Sequence, residues 1–208
     1  MISVDLGKCT VDILPVVKGL VSEYGRVKDA AGGKYDKFAV SLGKEDILAV
    51  GLRNELEDDQ VLEDIDHVYL HHLSNFGETD APSPAFCALI DVCAGMSAQV
   101  HPLDMDEESF SAVYCDMITT LELLKEGRLA RKALKKSFDM SSADAFAIDW
   151  DSFVNASKGF AELTRLREKY MANRIKLLAG NSERMLAVIE TERVNGIVRI
   201  LKEGKNDR

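Results

Sequence analysis

The sequence lacks a Cys-x-x-Cys pair, a long apolar run, a surplus of base and any internal repeat, and each absence removes a class of function. Its four cysteines, Cys9, Cys87, Cys93 and Cys115, show no such spacing, and two of them fall in apolar helical patterns. Reduced, mostly buried thiols in a cytosol are the expectation. A membrane-spanning helix needs roughly 18 to 20 apolar residues, which no stretch approaches. The amino terminus MISVDLGK places Asp5 where a signal peptide stays apolar. A soluble, cytoplasmic protein with no membrane partner is therefore expected. Base is the minority charge: 35 acidic against 26 basic residues leave a formal net charge of -9. Long-range repulsion then disfavours nucleic acid and anionic lipid, whereas neutral or cationic partners meet no such barrier.

What is present is apolar content, 46% of 208 residues, enough for a sizeable core. Ile2 to Leu6 reads as a first strand, and Thr10 then caps a helix with apolar residues at Ile13, Val16, Val17 and Leu20. After Gly32-Gly33, Lys37 to Leu42 reads as a second strand, and Gly43 opens a helical pattern at Ile47, Leu48, Leu52 and Leu56. His67 to Leu73 reads as a third strand, following the acidic loop Glu57 to Asp66. Pro84 suits the first turn of a helix over Ala85 to Cys93. Gln99 to Leu103 reads as a strand, and Asp104 to Glu108 put acids where a helix starts. Ser109 to Leu134 and Ser142 to Leu178 are largely helical, which predicts an antiparallel helical hairpin.

Leu186 to Ile189 form a buried strand, and Val194, Ile197, Val198 and Leu201 mark one face of a closing helix. This alternation predicts a single α/β domain, 1–208, with a largely parallel sheet flanked by helices. A long helical hairpin, about 106–178, is inserted before the last strand-helix unit. Between strand and helix stand Glu190-Thr191-Glu192-Arg193, at a strand's carboxyl end and a helix's amino end, where open α/β sheets place their sites.

The run Arg167-Glu168-Lys169-Tyr170-Met171-Ala172, then Leu186-Ala187-Val188-Ile189, then Val194-Asn195-Gly196-Ile197 resembles the TraB/PrgY family, related to the Tiki and ChaN/EreA-like proteins. That family has an Arg-x-x-x-Met-Ala helix, a strand, a GxxH turn and a Val-x-Gly-Ile helix start in this order. The resemblance extends over the chain. It places a first GxxH at Gly7 to Thr10, a strand-two glutamate at Ser41 and a strand-end aspartate near Asp104-Met105-Asp106. The departures are specific: Thr10 and Arg193 stand where the family has histidine, and Ser41 where it has glutamate. Arg167 survives. The resemblance thus implies the family's pocket without the imidazoles that its metal-dependent hydrolysis would use, and a protein that stops before the membrane region often found in the family.

Six residues are the candidate ligand-binding set: Arg167, Arg193, Glu190, Glu192, His71 and Asp104. Arg167 and Arg193 offer forked donors to a carboxylate or phosphate, so a small anionic ligand is expected. The plain alternative is internal ion pairing, with Glu190 and Glu192 beside Arg193 and Glu168 beside Arg167. His71, His101 and Asp104 could assemble a metal site only if they converge, and Asp104 and Asp106 suit helix capping equally. Cys9, at an expected helix start beside Lys8, would have a lowered pKa, but no base accompanies it. Lys125, Arg128, Arg131, Lys132, Lys135 and Lys136 form a basic stripe, read as a solvated face pairing with Asp144, Asp149 and Asp151. The reading is a TraB-like binding, regulatory or assembly protein, with no catalytic residue, metal or cofactor and a homodimer formed through part of Ser109 to Leu178. The alternative is a metal-dependent hydrolase using His71, Asp104, Glu190 and Glu192.

Overall fold

The amino-terminal residues pair as a hairpin: β1 (Ile2–Asp5) runs antiparallel to β2 (Thr10–Val16), with Ile2 opposite Ile13 and Asp5 opposite Thr10. The turn closes through Leu6 N–H donating to the Cys9 carbonyl at 2.8 Å, and Gly7 takes the positive φ of 85° that the turn requires. The computed structural model describes residues 1–53, 55 and 63–203, so Leu56 and most of the acidic loop lie outside the described residues. The helix expected from Thr10 is therefore β2 instead. Val11 and Ile13 enter one core cluster and Leu14 and Val16 the other, so both faces are covered. A strand buried on both sides reads as a continuous apolar run, which periodicity does not separate from a helix.

Among the described residues five strands form one sheet in the order β1-β2-β5-β3-β4, with β3 at Lys37–Val40, β4 at Val100–Pro102 and β5 at Arg184–Glu190. All contacts among β2, β5, β3 and β4 are parallel, and only β1 is antiparallel. One face is covered by α1 (Ser22–Ala31) and α4 (Pro84–Gly95), which bury Val27, Ala31, Phe86 and Leu89 against Phe38, Val40 and Val188. The other is covered by α9 (Lys158–Ala179) and α10 (Thr191–Glu203), with Met171, Ile175, Ile197 and Leu201 against Ile13, Ala187 and Ile189. The fold is thus an α/β sandwich with a mostly parallel sheet. No helix among the described residues is long and apolar enough to cross a membrane.

A third apolar cluster sits beyond the carboxyl ends of the strands. It joins Val17 and Leu20 to α3 (Asp64–Leu73), to Ala133 of α7 (Leu129–Ala133), to Phe138 and to α8 (Ala143–Val154). Tyr69 stacks on Phe146 with centroids 5.4 Å apart, and Trp150 meets Tyr69 edge-on at 5.3 Å. The strand expected at His67 to Leu73 is therefore helix α3. Acids at Asp64 and Asp66 favour a helix amino end, and Val68, Tyr69 and Leu73 share its buried side.

The segment before the last strand-helix unit is helical but is not a two-helix hairpin. Ser109 to Leu134 divides into α5 (Glu107–Met117), α6 (Thr120–Glu126) and α7, because Thr119 caps α6 reciprocally with Glu122 and Gly127 ends it. Ser142 to Leu178 divides into α8 and α9 at Asn155–Ser157. α2 (Lys44–Gly51) follows Gly43 as its spacing implies.

Candidate functional site

The four parallel strands point their carboxyl ends at one edge, beneath the α3 and α8 cap. Beyond β2 come Val17-Lys18-Gly19; β3 continues into Ser41-Leu42, β4 into Leu103-Asp104, and β5 ends on Glu190. β2 and β3 lead out to helices on one face, whereas β5, between them, leads into α10 on the other. Diverging exits on neighbouring strands open a crevice at the carboxyl edge, the usual ligand position of open α/β sheets. Among the described residues two cavities lie there, of about 410 Å³ and about 200 Å³, sharing a wall of Lys18, Asp66, Tyr69, Arg167 and Glu190. Asp104 and Ser41 line the larger, and Asp151, Glu192 and Arg193 the smaller.

The charges in this crevice are paired across elements. Arg167, on α9, donates from Nε to Asp104 Oδ2 at 3.0 Å and from Nη2 to the same oxygen. Arg193, in the first turn of α10, donates from Nη2 to Asp151 Oδ1 on α8, and its Nη1 lies 3.9 Å from Glu168 Oε1 on α9. Gly196 makes room for that glutamate, since a Cβ there would overlap the Glu168 carboxylate. Burial raises the Asp151 and Glu168 carboxyls above their usual range, and in each case Arg193 is the main opposing influence.

Among the described residues, Glu190 Oε2, Glu192 Oε2, Arg193 Nη1 and Ser83 Oγ are buried at this edge without a hydrogen-bond partner, as is Ser157 Oγ away from it. Glu190 is only 8% exposed, although its backbone N–H reaches Ser41 Oγ at 3.3 Å. Burial, then the neighbouring Glu190 carboxylate, push the Glu192 carboxyl up to about 7. Burial and the same two glutamates push the Tyr69 phenol up, while its hydroxyl donates to the Lys18 carbonyl at 3.0 Å.

Five of the six sequence candidates gather here: Arg167, Arg193, Glu190, Glu192 and Asp104. The sixth, His71, does not. It is exposed on α3 and lines neither cavity, because seven residues taken as an alternating strand wind as a helix. Its neighbour His72 packs instead among Phe138, Phe146 and Trp150. His101 lies within β4, and burial lowers its pKa. Among the described residues no three His, Cys, Asp or Glu side chains are placed to hold one metal ion. Asp104 binds Arg167, while Asp106 caps α5 by accepting from Ser109 N–H at 2.8 Å.

The two positions matched to GxxH do not meet. Thr10 pairs with Arg184 at the amino end of β5, six residues before Glu190, so it faces the opposite edge of the sheet. Cys9 is at no helix start; it is 1% exposed in the core, and burial raises its pKa rather than lowering it. In the basic stripe Lys136 reaches Asp149 at 2.9 Å, whereas Asp144 accepts from Thr191 and Asp151 from Arg193.

Lys18, Tyr69, Trp150, Asp151 and Glu168 belong to the site and were not among the sequence candidates. Lys18-Gly19 directly follows the apolar run 11–17, a strand-end signal that is visible once that run is a strand. The others arrive from helices of the insertion and cap, for which no local spacing encodes proximity. Comparison of the chain with protein-family models, with curated proteins and with solved structures finds no match.

Proposed function

We propose that the chain is a cytoplasmic, non-catalytic TraB-like protein that binds a small ligand at the carboxyl edge of its sheet, in a pocket whose hydrolytic chemistry has been replaced. The observation that carries this reading is the crevice beside β5, where Arg167 and Arg193 are held by the protein's own carboxylates and buried Glu190 still faces the cavity with an unpartnered oxygen. A structural ion-pair plug would leave no such oxygen, since buried polar groups are nearly always satisfied. Four free cysteines support the reducing compartment.

Assembly as a homodimer through the insertion is part of the reading. It is supported by α6, which leaves Leu121 70% and Leu124 63% exposed on a short helix. Light scattering of the untagged protein at high micromolar concentration should give twice the chain mass, and a monomer mass counts against assembly.

The non-catalytic reading is tested by elemental analysis combined with ester, phosphoester and peptide hydrolysis assays. The expected result is no stoichiometric transition metal and no turnover with added zinc or manganese. About one metal per chain together with turnover, both lost in Asp104→Ala, would overturn it.

A further inference from the structure

Resting on the binding reading above, we propose that the paired cavities take a small organic cation, a primary ammonium or guanidinium on a short aliphatic stem. The head sits at Glu190 and Glu192 beside Tyr69 and Trp150, and the stem lies in the larger cavity. Charge balance decides the sign of the ligand. Buried Arg193 and partly exposed Arg167 stand with Lys18 among the carboxylates of Asp104, Asp151, Glu168, Glu190 and Glu192, five acids against three cations; Asp104 engages Arg167, and Asp151 engages Arg193 through Nη2. The acids left over are Glu190 and Glu192, each with a buried Oε2 lacking a partner. An arriving anion would meet these two carboxylates and, of the Arg193 fork, the unpartnered Nη1 alone.

The cavity walls decide the class of cation. Tyr69 and Trp150 line the smaller cavity with the two glutamates, and aromatic rings beside carboxylates suit an ammonium or guanidinium through cation–π attraction and charge-assisted hydrogen bonds. A metal ion needs three or more converging ligands, and no such group exists among the described residues. The larger cavity adds Leu42, Val50, Leu70 and Phe86, an apolar wall for a short hydrocarbon stem, with Asp46 and Asp80 also on its lining.

The site also has a proton to give up. Around Glu192 stand Glu190 at the end of β5, Lys18 beyond β2 and Arg193 on α10. From α3 come Asp66 and Tyr69, from α8 Asp151 and from α9 Arg167. A carboxyl held up to about 7 by burial and by Glu190 is partly protonated near neutrality, and a bound cation favours the ionised form. Cation binding should therefore release a proton and strengthen as pH rises.

The test is calorimetry and thermal shift on the full chain with butylammonium, butylguanidinium, butyrate, inorganic phosphate, Mg2+ and Mn2+. The expected result is binding of one or both organic cations, tightening about tenfold between pH 6 and pH 8 with up to one proton released. Glu190→Gln should weaken it at least about tenfold. Because the pH profile and the proton release are read on the unaltered protein, a misfolded variant does not blunt the test. Stabilisation by butyrate or phosphate instead, or by a metal ion alone, overturns the cation assignment and leaves the binding reading standing. No response to any probe overturns both.

Discussion

Arg193→Ala removes a guanidinium that faces two carboxylates, Asp151 through Nη2 and Glu168 at 3.9 Å from Nη1. The residue is 6% exposed, so water does not replace the lost group freely. Both acids are already raised by burial, with Arg193 the main influence holding them down, so its removal leaves that burial uncompensated. Breaking a buried pair from one side costs about 3–5 kcal/mol. Protonation of Asp151 and Glu168 relieves part of this, which places the expected loss at the lower end, about 3 kcal/mol near pH 7.5. For a chain of this length that is a fall in Tm of about 6–12 °C.

The sign of the pH dependence follows from the raised carboxyls. A group with a raised folded pKa contributes stability that is fully present below its unfolded value and is lost as pH rises through the folded value. Removing Arg193 raises both acids further, so the deficit of Arg193→Ala should shrink as pH falls from about 8 to about 5. Urea unfolding of the unaltered protein and the variant across that range, with Asp151→Asn as a second background, measures it. A deficit under about 1 kcal/mol, typical of an exposed pair, or one that does not change with pH, would refute the buried-pair account.

Glu192→Gln should raise Tm at about pH 8 and leave it nearly unchanged near pH 5, because the raised carboxyl contributes stability only at low pH and loses it through about 7. A pH-independent change would contradict the placement of Glu192. Gly196→Ala should cost about 1–3 kcal/mol by driving Glu168 away from Arg193. A cycle with Glu168→Ala should then show the two losses to be less than additive. Phe146→Ala, removing a fully buried ring from the aromatic cap, should cost about 3–5 kcal/mol in chemical unfolding. Ellman's reagent should react quickly with one thiol, Cys115, and with all four only in denaturant, since Cys9, Cys87 and Cys93 are buried and burial raises their pKa values.

Local chemistry was sufficient for four of the five strands and for the carboxyl-terminal unit. Residues 185–189 are apolar over a strand's length, and Val194, Ile197 and Leu201 recur at helical spacing, so the β5–α10 junction and its charges are legible without any tertiary information. Acids and caps likewise announce the helix starting at Glu107. Two elements read as the wrong type, for opposite reasons. β2 is covered on both faces and so lost its alternation, while α3 carries three consecutive apolar residues, Val68-Tyr69-Leu70, that mimic a strand.

The site divides the same way. Arg167, Arg193, Glu190, Glu192 and Asp104 could be named because strand ends and helix starts are encoded by neighbouring residues. Their pairings could not. Asp151 is 42 residues from Arg193 and Asp104 is 63 from Arg167, separations set by how α8 and α9 lie across the sheet. Ion pairing depends on distances of a few ångströms between side chains of separate elements, and only the packed fold supplies those distances.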